Sequence, residues 1–306
     1  MKGIEYMPEK KITVLEVGPR DGWQNLKQLI PTEKKLEIID GLVDAGIQEI
    51  EITSFVSPKA IPQMADAKYL AARCVEKHPN TKFWALVPNL RGAQIAWESG
   101  IRNVNYVISL SETHNKANIK RTHEESFAEL AQLLENYPGM NVCVGIATVF
   151  GCPFEGVPDP KDAVAFGQRL WDMGVRSICL ADTIGIADPG QVRNMIWHMR
   201  KALPDCQFQV HIHDTRNMGM VDTLAAIEGG ITCVQSTLGG LGGCPFAPGA
   251  SGNTATEDLV FMLNRMGYDT GVDFDALLAL SKYQKGFVDG IYSGHQMNIG
   301  EKLPCT

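Results

Sequence analysis

Eight short runs of β-branched or otherwise apolar residues recur along this chain, separated by stretches whose apolar residues return at helical spacing. The runs are Ile12 to Val17, Ile47 to Thr53, Phe83 to Val87, Val104 to Ile108, Val142 to Val149, Ser177 to Ala181, Gln207 to His211 and Cys233 to Ser236. Their starts lie roughly 20 to 40 residues apart, the length of a strand, a helix and two connections. Thr32 to Ala45 reads as a helix, with Thr32 and the acidic residue after it as a start and Gly46 as a stop. Pro189 to Leu203 reads as another, its proline placed where the first turn has no internal partner for an N–H. An open doubly wound sheet alternates in the same way. The count of eight, with polar residues clustered beyond the strand ends throughout rather than at one switch point, favours an α/β fold of the (β/α)8 TIM-barrel kind. Thr254 to Met266 and Asp273 to Lys285 then read as additional C-terminal helices. On this reading residues 1–306 are a single domain, with 254–306 forming the last barrel helix and a helical cap.

At 306 residues, 44% of them hydrophobic and 21% charged, the chain can bury a substantial core. A net charge of −7 supplies no general basic field for a nucleic-acid backbone, so no nucleic-acid partner is expected. Nowhere do about 18 apolar residues run together, so no membrane association is expected either. Residues 1–11 are mixed in charge and do not fit a signal peptide. Eight cysteines without a C-x-x-C pair suit a reduced, cytoplasmic setting better than a disulfide scaffold or a structural zinc site.

Three polar clusters carry chemistry. GPRDGWQN at 18–25 follows the first run and places Arg20 and Asp21 where barrel enzymes build their sites, although an Arg–Asp pair also ties down glycine turns. In VHIHD at 210–214, His211 and His213 share a strand face by the two-residue period and can chelate one metal; core or surface histidines are the competing reading. TLGGLGGCPFAPGASGN, from Thr237 to Asn253, reads as a mobile linker, a phosphate cradle or an active-site lid centred on Cys244. The absence of a nucleotide-binding fingerprint, together with the glycine pairs before the cysteine, favours the lid.

EVGPRDGWQN, ITSFVSPKAIPQMAD, GCPFEG, ADTIG, HIHDT and above all GGLGGCPFAPGASGN closely resemble the 3-hydroxy-3-methylglutaryl-CoA lyases of the metal-dependent TIM-barrel lyase superfamily, from about Lys11 to Lys285. The resemblance implies cleavage of the C2–C3 bond of a 3-hydroxyacyl-CoA to an acyl-CoA and an oxo acid, and an acyl-CoA substrate as the chain's partner. It implies a divalent cation, Mg²⁺ or Mn²⁺, on Asp21, His211, His213 and Asn253. It further implies that Arg20 stabilises the enolate oxygen, that Asp182, or else the edge of His211 or His213, is the base, and that Cys244 is an acid or part of a lid; capping of the following turn is the rival role of Asp182. Glu51 would orient the groups around the metal and Asp214 would steady the histidine pair, while Glu49, a layer deeper, has an internal ion pair as its plainer role. Related barrels suggest a homodimer. Claisen-type synthases and pyruvate aldolases share the H-x-H and aspartate but lack the GGLGGCP loop.

The chain departs from the family pattern around the acyl group. Cys143 and Gly145 stand where an arginine and a tyrosine are common, Trp23 stands where leucine is usual, and VISLSETHNKANIK at 107–120 keeps only part of its usual form. The expected substrate is therefore 3-hydroxy-3-methylglutaryl-CoA or a relative, such as a branched hydroxy-dicarboxylyl-CoA of the methylmalyl or citramalyl kind.

Overall fold

A computed structural model describes residues 11–242 and 252–299. Cys244 lies outside the described residues. In chain order the elements are β1 (Thr13–Glu16), α1 (Thr32–Asp44), β2 (Glu49–Ser54), α2 (Ala67–Lys77), β3 (Lys82–Leu86), α3 (Leu90–Glu98), β4 (Asn103–Ser109), α4 (Glu112–Ile119) and α5 (His123–Asn136). They continue as β5 (Asn141–Ala147), α6 (Pro160–Asp172), β6 (Ser177–Asp182), α7 (Pro189–Ala202), β7 (Gln207–Ile212), α8 (Gly219–Glu228), β8 (Cys233–Ser236), α9 (Thr256–Arg265) and α10 (Phe274–Lys285). The eight strands pair in parallel in sequence order, and β8 returns to β1 to close the barrel. Among the described residues no helix is long and apolar enough to cross a membrane.

Strand directions explain both cores. Outward-facing residues such as Val142, Val144 and Ile146 join the large apolar layer beneath the helices. Inward-facing Leu15, Val17, Trp84, Cys143 and Cys179 form a second apolar cluster that plugs the barrel. Below that plug Glu49 accepts from Trp84 Nε1 at 2.7 Å and meets Lys82 Nζ at 3.2 Å, which is the internal ion pair expected of it. Above it the barrel opens into the cavity described below.

Several boundaries differ from the sequence reading for local reasons. The fifth run was expected to reach Val149, but β5 stops at Ala147 because Thr148 adopts φ +61°, outside extended geometry. Thr32 does not cap α1: its hydroxyl donates to Asp66 at 2.8 Å, and Pro31 precedes the helix. Gly46 does end it, at φ +90°. The ninth helix begins at Thr256 rather than Thr254, because Asn253 and Ala255 bridge to His213 and Thr237. The last helix, α10, is capped by the Asp273 side chain and packs against α1 and α9.

Candidate metal centre and acyl cavity

The first turn beyond β1 is a single wide turn of π type, Gly18–Gly22, closed by the Trp23 amide donating back to the Gly18 carbonyl at 3.1 Å. This swings Arg20 and Asp21 over the barrel mouth. Trp23, buried behind them, donates from Nε1 to Gln284 on α10 at 3.2 Å, so the departure at this position anchors the turn and does not line the acyl cavity.

Across the mouth, β7 delivers His211 and His213 with ring centroids 4.9 Å apart. The chain returning from beyond β8 forms an antiparallel bridge between Asn253 and His213, tightened by the Asp214 amide donating to the Gly252 carbonyl at 2.9 Å. Four side chains scattered over 232 residues of sequence thereby meet, and Asn253 Nδ2 donates to Asp21 Oδ2 at 2.7 Å. One ligand atom each from Asp21, His211 and His213 lies within 4.8 Å of the others, and all four residues are buried. Asn253 Oδ1 and His213 Nδ1 are buried with no hydrogen-bond partner among the described residues. Buried acceptors are costly to leave unsatisfied, and two orphans beside a carboxylate and a second imidazole fit a cation in their midst.

The electrostatics agree with that fit. Burial would raise the Asp21 carboxyl, but Arg20, both imidazoles and the Asn253 amide outweigh it and hold the group well below the usual carboxylate range. Burial, reinforced by His213, pushes His211 down to about 3, so its ring is neutral and available as a ligand. The ring is steadied by Gln235, whose Oε1 lies 3.1 Å from Nδ1. That is the part expected of Asp214, whose Oδ1 instead accepts from the Gly219 amide at 2.8 Å.

Glu51, with no exposed surface, binds Arg20 through Nε and accepts from Asn105 Nδ2 at 2.6 Å, while Arg20 also reaches Asp21. Burial lowers the guanidinium's affinity for its proton, yet the two carboxylates more than restore it. Asp182, the candidate base, is placed otherwise. Its flanking residues Ala181 and Thr183 line the cavity, whereas its own two oxygens accept from the Ile186 and Ala187 amides at 3.1 and 3.0 Å, capping the turn. Cys152 of GCPFEG is likewise structural, bridging to Gly156 and accepting from the Phe154 amide at 3.3 Å.

Among the described residues the site opens into a cavity of about 540 Å³. Arg20, Asp21, His211 and His213 line it together with Val107, Gly145 and Cys179. Asn105 and Gln235 escaped the sequence reading: each is an uncharged polar residue within a short strand, and only its inward alternation marks it.

Known proteins resemble the chain over nearly its whole length. A hydroxymethylglutaryl-CoA lyase of Bacillus subtilis is 41% identical over 90% of this chain and 92% of its own. An (R)-citramalyl-CoA lyase of Chloroflexus aurantiacus is 40% identical over 89% of each. The structure of an HMG-CoA lyase from Acinetobacter baumannii, in complex with coenzyme A and 3-methylmalate, superposes with a TM-score of 0.89 at 39% identity, covering 95% of both chains. A family model described as HMGL-like matches residues 11–283, and on these grounds the chain belongs to the HMGL-like family.

Proposed function

We propose that the chain is a divalent-metal-dependent carbon–carbon lyase that cleaves a 3-hydroxyacyl-CoA thioester, 3-hydroxy-3-methylglutaryl-CoA or a close relative, to an acyl-CoA and an oxo acid. The observation that carries this reading is the meeting of Asp21, His211, His213 and the orphaned Asn253 Oδ1 at a cavity that Arg20 also lines. These four residues would hold Mg²⁺ or Mn²⁺, whose charge lowers the pKa of a tertiary hydroxyl and helps orient the substrate.

The chain's own groups account for the other end of the reaction. As the C2–C3 bond breaks, the hydroxyl passes its proton to water in the cavity, C3 becomes a ketone and negative charge passes through C2 to the thioester oxygen. Arg20, always charged and fixed by Glu51, is placed to receive that charge. The fixing matters because a donor oriented before reaction needs no reorganisation during it. Asp182 holds the turn that presents Ala181 and Thr183 to the cavity, which makes it a positioning residue in this reading. Cys244 completes the proposal as the acid that returns a proton to C2. The reading also retains the cytoplasmic location and the homodimer expected from the sequence, the latter to be measured by light scattering.

The test is release of acetyl-CoA from 3-hydroxy-3-methylglutaryl-CoA by the purified chain. Activity is expected to vanish on rigorous chelation and to return with Mn²⁺ or Mg²⁺. Full activity after chelation would overturn the metal assignment, and no release from any 3-hydroxyacyl-CoA would overturn the lyase.

A further inference from the structure

One wall of the cavity is built from three neighbouring strands. Val107 pairs in register with Gly145, and Gly145 with Cys179, so these three inward positions form one row across β4, β5 and β6. Further along β6, Ala181 pairs with the ligand-bearing His211, making the wall continuous with the metal centre. Valine, glycine, cysteine and alanine leave the wall both small and apolar. A Cβ built at Gly145 would lie 3.4 Å from Val107 Cγ2 and 4.0 Å from the Tyr106 carbonyl, with nothing else of the described residues within 4 Å. The space over Gly145 is thus open, and its backbone is not in the positive-φ region that would demand glycine.

The cations on the cavity are already engaged. Arg20 is paired with Glu51 and Asp21, and Arg121 binds Glu129 and the Pro88 carbonyl. A second carboxylate placed against the small wall would lose its hydration with no free cation among the described residues to replace it. An alkyl chain in the same place would gain from burial.

We propose that this wall takes an apolar C3 substituent longer than methyl, so that the substrate is a 3-hydroxyacyl-CoA thioester with an extended alkyl or alkenyl branch on the carbon bearing the tertiary hydroxyl. This rests on the lyase reading above and narrows its substrate. Each added methylene buried on the wall contributes roughly three- to fourfold to kcat/KM until the space is filled.

The experiment compares 3-hydroxy-3-alkylglutaryl-CoA thioesters with methyl, ethyl and butyl branches, assayed on the full chain with Mn²⁺. The expected result is a kcat/KM at least about tenfold higher for butyl than for methyl, with Gly145→Leu lowering that ratio at least about tenfold. A flat or falling series in which the methyl compound is still cleaved overturns this inference and leaves the lyase standing. A rising series whose ratio survives in a folded Gly145→Leu variant overturns the placement on this wall. No cleavage of any member overturns the lyase and the inference together. Should Gly145→Leu fail to fold, the unsubstituted series alone still decides whether a longer branch is preferred.

Discussion

Glu51 has no exposed surface, yet its carboxylate determines where Arg20 points. One oxygen holds the guanidinium and the other holds Asn105, so the residue acts on a neighbour rather than on the metal ligands. Asn253 is the converse case: its Nδ2 steadies Asp21 while its Oδ1 has no partner among the described residues. The two positions therefore separate by measurement. Asn253→Ala is expected to weaken Mn²⁺ binding, read by calorimetry, by roughly 10–100-fold. Glu51→Gln is expected to leave that affinity within a few-fold and to lower kcat/KM by about 100-fold, because the guanidinium loses its fixed bearing on the developing charge. Equal losses of metal affinity in both variants would show that Glu51 serves the ion and not Arg20.

The β8–α9 connection does the most to assemble the site, and its glycines are needed for that. Gly242 sits at φ +142°, and a Cβ there would come 2.5 Å from Asn253 Nδ2. Gly174, at φ +100°, has nothing within 4 Å. Gly174→Ala should therefore cost about 1 kcal/mol of stability through backbone strain alone. Gly242→Ala should add to that strain the displacement of Asn253, weakening metal binding by about tenfold. Denaturant unfolding and metal titration of the two variants distinguish strain from displacement. The same connection shows what was legible in the sequence. Parallel strands covered on both faces read as apolar runs, so all eight were found, and the two-residue period put His211 and His213 on one face. The pairing of Asn253 with His213 across 40 residues has no local signature, nor does the inward turn of Asn105 or Gln235 within its strand. Asn253 was identified only through family resemblance, while Asp182, flagged by the same resemblance, proves to be occupied by the turn it caps.

The barrel closes where the first strand pairs with the eighth, and Glu16, the last residue of the first strand, is buried at that seam. Its Oε1 accepts from the Gly18 and Leu238 amides at 2.7 and 2.8 Å, and its Oε2 from Thr256 Oγ1 at 2.5 Å, so one carboxyl joins the first strand, the chain beyond the eighth and the last barrel helix. Burial raises this carboxyl from its ordinary 4.5 to about 7 against the pull of those three donors. Between the two values the folded chain keeps a proton that the unfolded chain releases. Unfolding free energy therefore falls as pH rises through that window, by on the order of 3 kcal/mol from this group once pH exceeds the folded value. Glu16→Gln imitates the protonated acid: its carbonyl oxygen can accept both amides, and its NH2 can donate to Thr256 Oγ1, whose own hydrogen then turns to Ser236 Oγ, 2.9 Å away. Guanidinium unfolding at pH 5 and pH 8 should therefore show the variant close to the parent at the lower pH and more stable than it at the higher. A stability difference between the two chains that does not change with pH would mean that Glu16 is ionised throughout, its desolvation offset by the three donors at the seam.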